Sequence, residues 1–196
     1  MKKKDIILSG VGGQGILSIA TVIGWASLDQ NLRLKQAEVH GMSQRGGDVQ
    51  SNLRISDEKI WSDLIPRGEC DLILSLEPME ALRYLPWLSK NGWIVTNSTP
   101  FVNIPDYPPI EGITAELGKV GNVITLDCDS IAKEAGSPRG ANMVLLGASA
   151  SVLEILDPEK LREGISNVFS RKGERIVEMN ISAFNAGLEY SKNLLG

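Results

Sequence analysis

Apolar positions along this chain fall into short runs separated by glycine and proline, with helical periodicity between them. Ile6, Ile7 and Leu8 make a run too short for a helix and rich in β-branched residues, which predicts a buried strand. Ile16, Ile19, Ala20 and Ile23 then recur at helical spacing, predicting a helix that ends near Asp29. Leu32 and Leu34 alternate with Arg33 and Lys35 in a second strand running to about Val39. Val49, Ser51, Leu53 and Ile55 alternate with Gln50, Asn52 and Arg54, as a half-exposed strand does. Asp71 to Leu76 and Trp93 to Thr96 predict two more buried strands, with a helical stretch from Pro78 to Leu88 between them. Thr99 to Pro109 contains four prolines and is predicted to be an irregular surface excursion. A helix over Thr114 to Lys119, a strand over Val123 to Leu126 and a short helix over Ser130 to Ala135 follow. From Ala141 onward only helices are predicted: one marked by Met143, Leu146, Ala150 and Leu153, one from Pro158 through Val168, and one marked by Ile181, Phe184, Leu188 and Leu195.

The repeated strand, helix, strand order predicts an α/β chain: a three-layer α/β/α Rossmann-like domain with a mostly parallel sheet and a helical C-terminal part. At 196 residues, 42% hydrophobic and 22% charged, the chain fits a single domain over 1–196. Gly147 to Ser151 reads GASAS, small residues that admit a second backbone close by. That backbone belongs either to another helix of the same chain or to a second chain.

Charge and cysteine usage narrow the function classes. Lys plus Arg total 20 against 24 Asp plus Glu, a formal net charge of -4, and no dense basic cluster follows Lys4. A nucleic-acid surface needs a basic stripe, so no nucleic-acid partner is expected. No apolar run approaches the roughly 18 residues that cross a bilayer, and MKKKDIILSGVGG loses its apolar character too soon for a signal peptide. No membrane association and a cytoplasmic location are the expectation. Cys70 and Cys128 are far apart and sit in no C-x-x-C or His-bearing spacing, so they read as buried thiols and no metal site is expected.

Two stretches carry candidate chemistry. Gly10, Gly12 and Gly15 satisfy G-x-G-x-x-G between the first strand and the first helix, with Gly13 and Gln14 inside the turn. Such a turn lets backbone N–H groups approach a phosphate at a helix N-terminus; alternatively its glycines serve only a sharp turn and close packing. His40 to Asp48 reads HGMSQRGGD and holds the only histidine. His40 can move protons near neutral pH, and Arg45, beside Gly46 and Gly47 and with Ser43 and Gln44 adding hydrogen-bonding groups, can grip a phosphate or carboxylate bidentately. The other reading of this loop is a structural or subunit contact. No G-x-x-x-x-G-K-[ST] loop and no G-x-S-x-G elbow is present, which excludes a P-loop NTPase and leaves one histidine for any triad. Glu38 follows Gly15 at about the distance of a ribose-binding acid, which keeps a free-standing dinucleotide-binding domain as the alternative.

Four segments carry a resemblance: GVGGQGI at Gly10 to Ile16, AEVHGMSQRGGDVQSNLRIS at Ala37 to Ser56, NMVLLGA at Asn142 to Ala148, and the terminal helix with Asn180, Ala183, Phe184 and Gly187. By these the chain resembles the gamma-type subunits of 2-oxoacid:ferredoxin oxidoreductases, and within them the indolepyruvate branch. The resemblance implies a complex that oxidatively decarboxylates an arylpyruvate with coenzyme A and ferredoxin, giving an aryl-acetyl-CoA and CO2. Pyruvate, 2-oxoisovalerate and 2-oxoglutarate are the related substrates. Two cysteines cannot supply the four thiolates of a cluster, and no GDG-type thiamine motif is present. Thiamine diphosphate, Mg2+ and [4Fe-4S] clusters are therefore expected in a larger alpha subunit, in a heterodimer or heterotetramer, with this chain inactive alone. No catalytic residue is assigned. The Gly10 to Gly15 turn and the Ser43 to Gly47 loop are expected to form a polar edge that faces the partner's active site and binds coenzyme A or a loop of the partner.

Overall fold

The computed structural model describes residues 2–40 and 47–196, with His40 described by its backbone. Six strands form one sheet in the order β2-β3-β1-β4-β5-β6. They are β1 (Lys3–Val11), β2 (Arg33–His40), β3 (Asp48–Ser56), β4 (Cys70–Ser75), β5 (Leu88–Asn97) and β6 (Val123–Leu126). The run β1-β4-β5-β6 is parallel, whereas β3 is antiparallel to both β1 and β2. The sheet is thus mixed and mostly parallel, and β3 occupies the place beside β1 that a wholly parallel order would give to β2. Segment 41–47 explains this, because a parallel neighbour needs a crossover of about a dozen residues and the shorter segment reaches only an antiparallel partner.

Alternation along β1 sorts the core into two layers. Ile6 and Leu8 face a large cluster with α1 (Ile16–Asp29), α4 (Cys128–Glu134), α5 (Ala141–Leu153), α6 (Pro158–Phe169) and α7 (Glu174–Leu195). Ile7 faces a smaller cluster with α2 (Pro78–Arg83) and α3 (Ile110–Leu117). The three-layer expectation therefore holds.

Several predicted boundaries shift for local reasons. The helix from Pro78 stops at Arg83, capped by the Glu77 carboxylate, and a 3-10 turn over Leu85–Trp87 replaces its last turn. Pro86 removes a backbone donor and disfavours the α region for Leu85, which ends the helix early. Strand β5 starts at Leu88 rather than Trp93; its first residues pair Leu88 with Cys70 before the register shifts. Helix α3 starts at Ile110, directly after Pro109, and not at Thr114. Helix α4 starts at Cys128 because Asp127 caps it, its carboxylate accepting from the Ser130 N–H at 2.9 Å.

The small-residue run lies inside the chain. Gly147 of α5 packs on the backbone of Phe184, and Gly187 of α7 packs on the backbone of Val144. Ser151 and Ser191 share a 2.6 Å hydroxyl contact across the same seam. GASAS is thus the α5/α7 contact within one chain.

Both thiols are buried, as expected. Cys70 packs in the α2/α3 layer and Cys128 in the opposite layer. Burial pushes the Cys70 thiol up to about 12 from its ordinary 9.0, and raises Cys128 as well. Above pH 9 the unfolded chain gives up protons that the folded chain keeps, so these thiols favour folding below that pH and lose that effect as pH climbs toward 12. Native protein should therefore resist alkylation by iodoacetamide at pH 8 and react with two equivalents once unfolded in urea, a result that mass spectrometry reads directly.

Candidate functional site

The glycine turn sits at the C-terminal end of β1, where open α/β sheets place their ligands. Each glycine has its own reason. Gly15 has φ 88 and caps α1, and a Cβ there would lie 2.6 Å from Asn142 Nδ2. A Cβ on Gly10 would lie 2.7 Å from Ile16 Cδ1 and 2.8 Å from Gln14 Oε1. Gly13 has φ 103 with nothing near the position of a Cβ, so its backbone borders open space. The Gly12 N–H donates to the Gly47 carbonyl oxygen at 2.9 Å, which joins the turn to the end of the β2–β3 connection.

Gln14 ties strands together. Its Oε1 accepts from the Val11 N–H at 2.7 Å, and its Nε2 donates to the Leu76 carbonyl at 3.1 Å, clamping the ends of β1 and β4. His40 ends β2, its backbone opposite Val49, which in turn lies opposite Gly10. Ser43, Gln44, Arg45 and Gly46 lie outside the described residues.

Next to the turn is a cleft of about 470 Å3 lined by Gly13, Gln14, Leu76, Asn97, Thr99, Pro100, Phe101, Asp129, Pro138, Arg139, Ala141 and Asn142. Two helix N-termini meet beside it. Among the described α-helices, α1 and α5 alone have neither a capping residue whose side chain bonds the helix nor an acidic residue in the first turn. In α2, α4 and α6 that position is filled by Glu77, Asp127 and Asp157. Asn142 Nδ2 donates to the Gly15 carbonyl at 3.2 Å and links the two ends. The N-termini of two helices without a nearby acid in their first turns, with the exposed Arg139 in the same lining, favour an anion. Asp129 is the acid of this wall, and Asn97 Nδ2 donates to it at 3.2 Å while Asn97 Oδ1 accepts from the Cys128 N–H at 3.1 Å.

The proline-rich excursion is fastened over the strand ends by Glu77, a fully buried carboxylate. Glu77 Oε2 accepts from the Glu80 N–H at 2.8 Å, and Oε1 accepts from the Phe101 N–H at 3.3 Å and from the Tyr107 hydroxyl. Burial and then the bond to Glu77 hold the Tyr107 hydroxyl protonated well above the usual tyrosine range.

Sequence reasoning found the turn and missed Asn97, Asp129, Arg139 and the Glu77 clamp. Glu77 had a signal, a carboxylate directly before a proline at a helix start. Arg139, between Pro138 and Gly140, had a weaker one. Glu38 falls away from the site. It lies opposite Ser51 of β3, which lies opposite Leu8, so β3 separates it from β1. A ribose-binding acid has to end the strand beside β1. The two thiols, on opposite faces of the sheet, cannot ligate one cluster, and no group of three or more His, Cys, Asp or Glu among the described residues is placed to hold a metal ion. No described helix is long and apolar enough to cross a membrane.

A mostly parallel sheet whose glycine turn meets an antiparallel β2–β3 pair, beside an anion-favouring cleft, defines a Rossmann-like α/β domain. The chain belongs to the pyruvate ferredoxin/flavodoxin oxidoreductase family, whose model matches residues 5–190. It is 36% identical to the indolepyruvate oxidoreductase subunit IorB of Pyrococcus horikoshii, over 100% of this chain and 99% of that protein. The ketoisovalerate oxidoreductase subunit VorA of Methanothermobacter thermautotrophicus is 27% identical over 94% of this chain, which spans only 36% of that longer protein. Among solved structures, the gamma subunit of a keto/oxoacid ferredoxin oxidoreductase from Geobacter sulfurreducens superposes with a TM-score of 0.70 at 27% identity, covering 97% of this chain and 99% of its own.

Proposed function

We propose that this chain, as one gamma-type domain over 1–196, is the small subunit of an indolepyruvate-type 2-oxoacid:ferredoxin oxidoreductase. The complex converts an arylpyruvate and coenzyme A into aryl-acetyl-CoA and CO2, passing electrons to ferredoxin. One observation carries the reading: the likeness to an indolepyruvate oxidoreductase subunit runs the whole length of both chains. Thiamine diphosphate supplies carbanion stabilisation and [4Fe-4S] clusters supply one-electron transfer, and both, with Mg2+, sit in the larger partner. This chain's own part is positional. The acid-free N-termini of α1 and α5, with Arg139, favour the phosphate-bearing portion of coenzyme A in the cleft, and the glycine turn and the Ser43 to Gly47 loop form a polar edge that meets coenzyme A or the partner.

Co-expression with candidate large subunits, followed by assay of coenzyme A-dependent dye reduction, tests the substrate. Indolepyruvate should give the highest kcat/KM, and preference for pyruvate, 2-oxoisovalerate or 2-oxoglutarate would move the chain to a sister branch. In that complex Arg45→Ala should raise the KM for coenzyme A about ten-fold, the worth of one charge-assisted bond. An unchanged KM with weaker co-purification would make the loop a subunit contact instead.

A further inference from the structure

We infer that Glu77 and Tyr107 are positioning residues for the cleft: their hydrogen bond holds the proline-rich excursion closed as part of its wall, and so sets the affinity for the occupant without taking part in the chemistry. The inference rests on the coenzyme A reading of that cleft.

Three observations carry it. First, the two oxygens of Glu77 serve different parts of the fold. Oε2 caps α2 through the Glu80 N–H, whereas Oε1 accepts from the excursion, from the Phe101 N–H and the Tyr107 hydroxyl. Second, Glu77 is fully buried, while Asp127 and Asp157, the capping acids of α4 and α6, are exposed. None of these donors to Glu77 is a cation. A carboxylate held out of water by neutral donors regains hydration once the excursion lifts, so lifting exchanges two hydrogen bonds for water and an open arrangement lies within reach. Third, the same excursion supplies Thr99, Pro100 and Phe101 to the cleft lining, so Phe101 is both a latch contact and part of the wall. The segment is tied down at its two ends. Ser98 N–H donates to the Leu126 carbonyl at 2.9 Å and Thr99 N–H to Asn97 Oδ1 at 3.4 Å, and Tyr107 packs on the α2/α3 layer, while Phe101 to Asp106 between them are exposed. An occupant meets the full wall only when the excursion is closed, so its apparent affinity falls with the closed fraction.

Amide hydrogen exchange on the full chain and coenzyme A kinetics in the assembled complex test this together. Tyr107→Phe removes one latch bond and leaves the α2 cap untouched. Its Phe101 amide should exchange about ten-fold faster, the loss of one charge-assisted bond, while the Ile94 amide, bonded to the Asn122 carbonyl, is unchanged. In the complex the same variant should raise the KM for coenzyme A about two-fold, and Glu77→Ala, which removes both latch bonds, about five-fold or more. In each, kcat and the KM for the 2-oxoacid should stay at the parent values. Glu77→Ala also loses the α2 cap, so Tyr107→Phe decides the matter if that variant does not fold. Ile165→Val, a core change that does not line the cleft, should leave the KM for coenzyme A alone. Arg139→Gln, which acts on the phosphate directly, should raise it about ten-fold. A KM raised by Arg139→Gln and unmoved by Tyr107→Phe overturns the inference and leaves the coenzyme A reading standing. A KM unmoved by both overturns that reading and the inference with it. An unchanged Phe101 exchange rate in Tyr107→Phe, or a fall in kcat in place of the rise in KM, overturns the inference alone.

Discussion

Replacing Gly147 by alanine should cost the fold about 3 kcal/mol or more, lowering Tm by roughly 6–12 °C for a chain of this size. Helices α5 and α7 approach so closely that a Cβ on Gly147 would meet the Phe184 carbonyl oxygen, and a Cβ on Gly187 the Val144 carbonyl oxygen. Both obstacles are backbone, so no rotamer change relieves them and the helices must separate. Separation opens the seam that buries Val144, Ala148, Ala183 and Leu188. Gly187→Ala should behave alike, and the double variant should lose less than the two losses added, since one displacement accommodates both methyls. Urea titration of the three variants gives the values. A Tm within a degree of the parent for either single variant would mean that the helices are not in contact.

The second large effect is expected at Asp5. This carboxylate is fully buried in β1, opposite Arg54 of β3, and takes both halves of a bidentate pair: Arg54 Nε to Oδ1 at 2.8 Å and Nη2 to Oδ2 at 3.0 Å. Lys3 adds a contact of 2.8 Å. The hydrogen bond that Arg54 donates to Asp5 is the largest cause of the raised Arg54 pKa, acting against burial. Arg54 also donates from Nη1 to the Ser62 and Leu64 carbonyls at 3.1 Å, so the pair positions the segment that follows β3. Asp5→Ala strands a nearly buried guanidinium, at a cost of about 3–5 kcal/mol, a large part of the 5–15 kcal/mol typical of a domain. Asp5→Ala combined with Arg54→Met should lose less than Asp5→Ala alone, because no unpaired charge remains. Equal stability of parent and Asp5→Ala would contradict the pair's role.

Much of the fold was legible in the residues. Ile6 to Leu8 and Val123 to Ile124 announce strands by short β-branched runs, and Pro78 and Pro158 announce helix starts. Strand direction was not legible. Alternation along Val49 to Ile55 tells which side chains face the core, and it reads the same whichever way the neighbouring strand runs. The length of segment 41–47 was the available clue. The site was legible only where it is local. Gly10 to Gly15 is contiguous, so its turn can be read directly. Asn97, Asp129 and Arg139 reach the same cleft from three separate strand and helix ends, and only the parallel order of β1, β4, β5 and β6 brings them together. Gln14 illustrates the limit from the other side. As a polar group in a glycine turn it reads as ligand-facing, yet its amide closes hydrogen bonds to Val11 and to Leu76, 62 residues away.

In the proposed function this chain completes an active centre carried by a larger subunit. Dye reduction with indolepyruvate and coenzyme A should be measured for this chain alone, for the large subunit alone, and for the two mixed. Activity that appears only in the mixture, saturating at a fixed stoichiometry of the two chains, is the predicted result. Turnover of a 2-oxoacid by the purified 196-residue chain, or full activity of the large subunit without it, would contradict the claim.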